Sequence, residues 1–134
     1  MIKVEDKEIL IVDDDPDVLK TLTRFLRKKG YLVDGAPGGK EALERMEKKT
    51  PDLVLLDALM PGMDGIETLE QIRLRFPEVD VVMISALKEE VVAEEAIKMG
   101  ASEWLNKPFS LEQLETAIFI TSLMHKGFKE APVH

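Results

Sequence analysis

Leu53-Val54-Leu55-Leu56-Asp57 closes a run of apolar side chains with a carboxylate, and Ile9-Leu10-Ile11-Val12-Asp13-Asp14 repeats the arrangement with a carboxylate pair. Each run is too short for a free-standing helix and too uniformly apolar for a strand with one wet face. Each therefore reads as a strand of a parallel sheet covered on both sides. Parallel strands end on the same edge. If the two runs are neighbours, Asp13, Asp14 and Asp57 converge at the carboxyl edge, where open α/β sheets bind their ligands. Two unit charges about 4 Å apart repel by roughly 4 kcal/mol at an effective dielectric near 20. Such a cluster calls for a compensating cation, and a hard divalent metal is the simplest one.

Outward from these runs, strand-like and amphipathic stretches alternate five times, the pattern of a parallel sheet with helices on both faces. Strand one is predicted over about Glu8 to Asp13. The next helix opens at Asp15-Pro16, with Asp15 as its cap, buries Val18, Leu22, Phe25 and Leu26, and stops at Lys28-Lys29-Gly30. Strand two is predicted over Tyr31 to Asp34, and helix two over Gly39 to Lys48, ended by Thr50-Pro51. After Asp57 the turn Met60-Pro61-Gly62 leads to a helix opening with capping-box spacing at Asp64-Gly65-Ile66-Glu67. Strand four runs from Val79 to Ser85, helix four from Lys88 to Met99, and strand five from Glu103 to Asn106. Lys107-Pro108-Phe109 then turns into the last helix, whose start, Ser110-Leu111-Glu112-Gln113, has the same capping spacing.

A length of 134 residues fits one domain, here expected over 1–126, with 127–134 a tail or linker stump. At 45% hydrophobic the chain is globular rather than disordered, and no apolar stretch approaches the roughly 20 residues of a membrane span. The start, Met1-Ile2-Lys3-Val4-Glu5-Asp6, lacks the pattern of a signal peptide, so a cytoplasmic location is expected. Without cysteine, disulfides, thiolate metal sites and thiol nucleophiles are excluded. A net charge of −8 argues against direct nucleic-acid binding and points to protein partners.

The strand ends place Asp13, Asp14, Asp57, Ser85 and Lys107 on one edge, a set with the parts for phosphoryl transfer. Mg²⁺ favours one or two carboxylates with phosphate oxygens and water. A carboxylate can itself be the nucleophile and become an aspartyl phosphate. The charge it gains then needs a metal, a cation such as Lys107 and a hydroxyl such as Ser85. Each residue alone has a plainer reading: Asp57 as a turn former, Asp13 and Asp14 as turn or cap residues, Ser85 as a strand-end hydroxyl, Lys107 as a surface charge. Only the joint placement promotes them. His125 and His134 do not look catalytic, and Gly35-Ala36-Pro37-Gly38-Gly39-Lys40 fails the phosphate-loop spacing.

Ile11-Val12-Asp13-Asp14-Asp15, Leu55-Leu56-Asp57 with Met60-Pro61-Gly62-Met63-Asp64-Gly65, Ile84-Ser85-Ala86 and Lys107-Pro108-Phe109 occur in order along the chain. Together they resemble the receiver domain of two-component response regulators over nearly the whole length. The resemblance implies a flavodoxin-like, doubly wound α/β fold: a five-stranded parallel sheet of order 2-1-3-4-5 with five helices. It implies that Asp57 accepts a phosphoryl group from a histidine kinase or histidine phosphotransfer protein. Mg²⁺ or Mn²⁺ would be bound by Asp14, Asp57 and the Leu59 backbone carbonyl, with Asp13 acting mainly through water. Ser85 and Lys107 would bind the phosphoryl oxygens, Ser85 and Trp104 would form the switch, and the bond before Pro108 is often cis in the family. The output surface would be helix four, strand five and helix five, presented to a protein target or a homodimer mate. Such a domain is a switch and not a turnover enzyme.

Trp104, Leu59 and Leu87 stand apart within that pattern. Trp104 occupies the place of a switch Tyr or Phe, and it has a packing reading as well as a functional one. In the last helix Leu111, Leu114 and Ile118 share one side while Phe119, Ile120, Leu123 and Met124 spread over the other, either by crowding or as a contact surface. Alternatives to the switch are a receiver-like module that no longer uses phosphate and a haloacid-dehalogenase-type phosphohydrolase. The second wants an Asp two residues beyond the nucleophile, where this chain has Leu59. Leu59 and Leu87, two residues beyond Asp57 and Ser85, offer nothing to orient an attacking water. The acyl phosphate is therefore expected to persist, and Leu87→Glu should shorten its lifetime; equal or slower decay of the phosphorylated variant would count against this.

Overall fold

The computed structural model describes residues 7–59, 64–86 and 90–130, with 90–92 and 125–130 by backbone alone. In chain order the elements are β1 (Glu8–Val12), α1 (Pro16–Lys28), β2 (Leu32–Ala36), α2 (Gly39–Lys48), β3 (Leu53–Asp57), α3 (Gly65–Arg75), β4 (Asp80–Ser85), α4 (Glu90–Lys98), β5 (Glu103–Asn106) and α5 (Leu111–Glu130). The strands form one parallel sheet ordered β2-β1-β3-β4-β5.

Alternation along each strand explains why the central runs are apolar at every position. Leu10, Val12, Val54, Leu56, Val81 and Met83 point to the face covered by α2, α3 and α4. Ile9, Ile11, Leu53, Leu55, Val82 and Ile84 point to the other, where Leu22 and Leu26 of α1 and Leu114 and Ile118 of α5 cover them. Every β3 residue is buried. Each such Leu or Ile contributes about 1.5–3 kcal/mol by leaving water, so register along β1 and β3 is tightly held.

The helix ends follow the capping chemistry expected of them. Asp15 accepts from the Asp17 N–H at 2.9 Å, and Asp64 from the Glu67 N–H at 2.8 Å. Ser110 and Gln113 bond reciprocally at 2.8 and 3.0 Å, a complete capping box. At the end of α1 Gly30 adopts φ +101°. Its N–H donates to the Arg27 carbonyl and that of Tyr31 to the Leu26 carbonyl, satisfying the last turn.

Strand two is displaced from its expected span, Tyr31 to Asp34, to Leu32–Ala36. Asp34-Gly35 looks like a turn in sequence, but Gly35 pairs with Ile11 and Ala36 with Val12 in the ladder. This edge strand is blunted: Arg27 Nη2 donates to the Val33 carbonyl, and the Gly35 N–H donates to the Asp34 carboxylate, each at 2.9 Å. The expected start of helix four at Lys88, the turn 60–63 and Leu87 lie outside the described residues. The second apolar set on α5 is present: Phe119, Ile120, Leu123 and Met124 are exposed while Leu114 and Ile118 are buried. No helix among the described residues is long and apolar enough to cross a membrane. Because Gly30 is left-handed, Gly30→Ala should cost about 1–2 kcal/mol, read as a lower urea midpoint at unchanged slope.

Candidate functional site

The parallel register carries β1, β3, β4 and β5 to a common carboxyl edge. Val12 pairs with Leu56, Asp57 with Ile84 and Ser85 with Asn106, so Asp13, Asp57, Ser85 and Lys107 fall at adjacent strand ends. The order β2-β1-β3 reverses direction at β1, which makes this the switch point of the sheet. One carboxylate oxygen from each of Asp13, Asp14 and Asp57 lies within 4.8 Å of the others. Asp13, Asp57 and Ser85 are buried at 3%, 6% and 0% exposure, whereas Asp14 is exposed. The acidic edge therefore has a buried floor and an open rim.

Local backbone bonds hold this geometry. The Asp15 N–H donates to Asp13 Oδ1 at 2.9 Å, a turn in which an aspartate side chain binds the backbone two residues on. The Leu59 N–H donates in the same way to Asp57 Oδ1 at 3.1 Å. Lys107 Nζ stands 3.4 Å from Asp13 Oδ2 and 3.6 Å from Asp57 Oδ2. The Lys107 N–H donates to the Ser85 carbonyl at 2.8 Å, and the Lys107-Pro108 bond is cis.

Three carboxylates thus face one ammonium among the described residues. The Asp57 carboxyl is pushed above its ordinary value of 3.8, first by burial. The Leu59 N–H pulls it down, Asp13 raises it, Lys107 lowers it and Asp14 raises it. The donor set is all oxygen and in excess of its cation. Oxygen donors with more negative charge than Lys107 offsets are what a hard divalent ion such as Mg²⁺ prefers, so the residues fit one.

A family model described as the response regulator receiver domain matches residues 9–119. The chain belongs to this family. Transcriptional regulatory protein ZraR of Klebsiella oxytoca is 40% identical over 129 residues, covering 96% of this chain and 29% of that protein. Sporulation initiation phosphotransferase F of Bacillus subtilis is 35% identical over 113 residues, covering 84% of this chain and 91% of that protein. The CheX-CheY-BeF3-Mg complex from Borrelia burgdorferi aligns with a TM-score of 0.83 at 30% identity, covering 88% of this chain and 90% of that one. The receiver spans less than two thirds of several relatives, 29% of ZraR and 47% of the alkaline phosphatase synthesis regulator PhoP of Bacillus subtilis. Sheet order and strand direction agree with the expected receiver fold.

Trp104 lies partly buried against the α2–α4 core cluster, and its Nε1 donates to Asn106 Oδ1 at 3.0 Å. The sequence gives no separate signal for Asn106. Gly65, which the sequence offers as part of a helix start and of the motif Met60-Pro61-Gly62-Met63-Asp64-Gly65, was given no role at the site. A Cβ on Gly65 would fall on the Asp57 carbonyl oxygen and the Ala58 Cα, and its N–H donates to the Ala58 carbonyl at 3.2 Å. The first turn of α3 can therefore rest on the backbone that carries Asp57 only if residue 65 lacks a side chain.

Because the folded-state value of Asp57 is raised, its protonated form favours the fold. That contribution is complete below the unfolded value and is lost as pH rises through the folded one. In chelator near pH 7, Asp57→Asn should therefore unfold at a higher temperature than wild type. The gap should close as pH falls toward about 4; a gap that widens toward acid in thermal melts would contradict the burial account.

Proposed function

We propose that this receiver is a phosphorylation-controlled switch in which Asp57 is the phosphoacceptor. The observation that carries the proposal is the buried Asp57 carboxylate beside Asp13, Asp14 and Lys107 at the carboxyl edge of the sheet. The donor is a histidine kinase or a histidine phosphotransfer protein. A carboxylate oxygen of Asp57 attacks phosphorus in line, forming an O–P bond as the N–P bond of the donor phosphohistidine breaks, and the imidazole leaves with the bonding pair. Lys107, already near Asp57, would bind one phosphoryl oxygen, and the buried Ser85 hydroxyl another. Asp14, Asp57 and the Leu59 carbonyl, with Asp13 through water, would hold Mg²⁺ or Mn²⁺, which supplies charge neutralisation when bound.

Protein access to this edge is supported by a groove lined by Val18, Thr21, Lys107, Pro108, Phe109 and Leu111. Phosphorylation would shift an existing equilibrium, with Ser85 moving toward the phosphoryl group and Trp104 repacking. The output surface would be α4, β5 and α5, whose exposed Phe119, Ile120, Leu123 and Met124 suit a protein target or a second copy. The domain is read as a switch that turns over no free substrate. The relatives' own outputs, such as transcriptional regulation, are not assigned to it.

Incubation with acetyl phosphate and Mg²⁺ should add one phosphoryl group to the intact chain by mass spectrometry, and none to Asp57→Asn or in excess chelator. An unmodified Asp57 would favour the module that no longer uses phosphate. Steady release of phosphate from simple esters would favour the phosphohydrolase. Lys107→Met should still take up Mg²⁺ but fall at least about tenfold in phosphorylation rate, the loss of a charge-assisted contact of roughly 1.5–3 kcal/mol.

A further inference from the structure

Trp104 is the only tryptophan of the chain. Its indole rests on the core cluster beneath α3 and α4 and donates through Nε1 to Asn106 Oδ1. Alternation along β5 puts Trp104 and Asn106 on the same face of the sheet. On β4 the register partners of these two residues are Met83 and Ser85. Lys107 follows Asn106 directly, with its N–H on the Ser85 carbonyl and its ammonium 3.6 Å from Asp57. One exposed carboxamide thus binds the aromatic, stands opposite Ser85 in the ladder and adjoins the lysine of the acidic edge.

This bond uses what is particular to the indole. A phenylalanine at 104 would have no donor, and the apolar face of the ring already has its contacts with the core. The N–H is the polar handle that selects one orientation of the ring. We propose that Asn106 is the positioning residue of the switch: its carboxamide holds the Trp104 indole in the orientation of the unphosphorylated receiver. The inference rests on the phosphoacceptor reading of Asp57 and adds a residue to it. Movement of Trp104 on phosphorylation then requires the bond to break, so Asn106 sets how far the resting state is favoured. Solvent reaches the pair, and a hydrogen bond of this kind changes an equilibrium by a few-fold up to about tenfold. Its loss raises the apparent affinity for a phosphoryl analogue by the same factor, because less of the binding is spent on leaving the resting state.

The test is calorimetric titration of the full chain with beryllofluoride in Mg²⁺, together with solvent exchange of the single indole N–H by nuclear magnetic resonance. Asn106→Val should bind beryllofluoride a few-fold to about tenfold more tightly than wild type, and its indole N–H should exchange faster before any beryllofluoride is added. Asn106→Ser, too short to reach Nε1, should repeat both effects. Asn106→Asp, which keeps an acceptor oxygen, should restore slow indole exchange. In a Trp104→Phe background Asn106→Val should add nothing, the non-additivity expected of directly bonded partners. Equal beryllofluoride affinities for wild type, Asn106→Val and Asn106→Ser would overturn the role of Asn106. The same gain in the Trp104→Phe background would also overturn it. Failure of wild type to bind beryllofluoride would instead overturn the phosphoacceptor reading.

Discussion

Asp13, Asp14 and Asp57 repel one another across a few ångströms, with Lys107 the cation in reach of the buried pair. Burial strengthens that repulsion, because it removes the water that would screen it. The rest of the receiver holds two of these carboxylates, Asp13 and Asp57, in place. Asp57 ends a strand whose residues are all buried, and Asp13 follows a strand with apolar contacts on both faces. Their backbones are held by the ladder, and their side chains by the N–H groups of Leu59 and Asp15. The core thus sustains an electrostatic imbalance at one edge, which a bound cation would relieve.

The same economy governs how the edge is joined to the surface. Gly65 lets the first turn of α3 rest directly on the Asp57–Ala58 backbone at the end of β3. Lys107 is tied through its own N–H to Ser85, which joins the ends of β4 and β5. Asn106 extends that connection to Trp104 and so to the side of the molecule where α4, β5 and α5 lie. A few hydrogen bonds thus run from the acidic edge through Ser85 and Lys107 to Asn106 and Trp104.

Much of this was legible in the chain because the deciding patterns are local. Ile9 to Val12 and Leu53 to Leu56 announce buried parallel strands, and Asp15, Asp64 and Ser110 announce helix starts that the structure reproduces. The acidic residues, Ser85 and Lys107 were found through strand-end placement and family resemblance. Strand two was mistaken at Asp34-Gly35, where turn-forming residues were carried into a strand by pairing with β1. Gly65 and Asn106 were missed because what matters at each is a contact, of Gly65 with the Asp57–Ala58 backbone across a turn and of Asn106 with the Trp104 indole along one strand face. A period of two places Trp104 and Asn106 on one face but does not say that they bond.

By itself the sequence determined the alternation of strands and helices, the absence of thiol chemistry, and the set of carboxylates, hydroxyl and lysine available for phosphoryl chemistry. Those follow from side-chain identity and from periods of two and 3.6 residues. Only the tertiary structure decided that Lys107 lies between Asp13 and Asp57, that Asp14 stays exposed while Asp13 is buried, and that the Trp104 indole is bound by Asn106. The first two depend on register between strands far apart in the chain, and the third on the side-chain orientation that packing gives the indole. Register is set by the summed burial of both sheet faces, which no single stretch of residues contains.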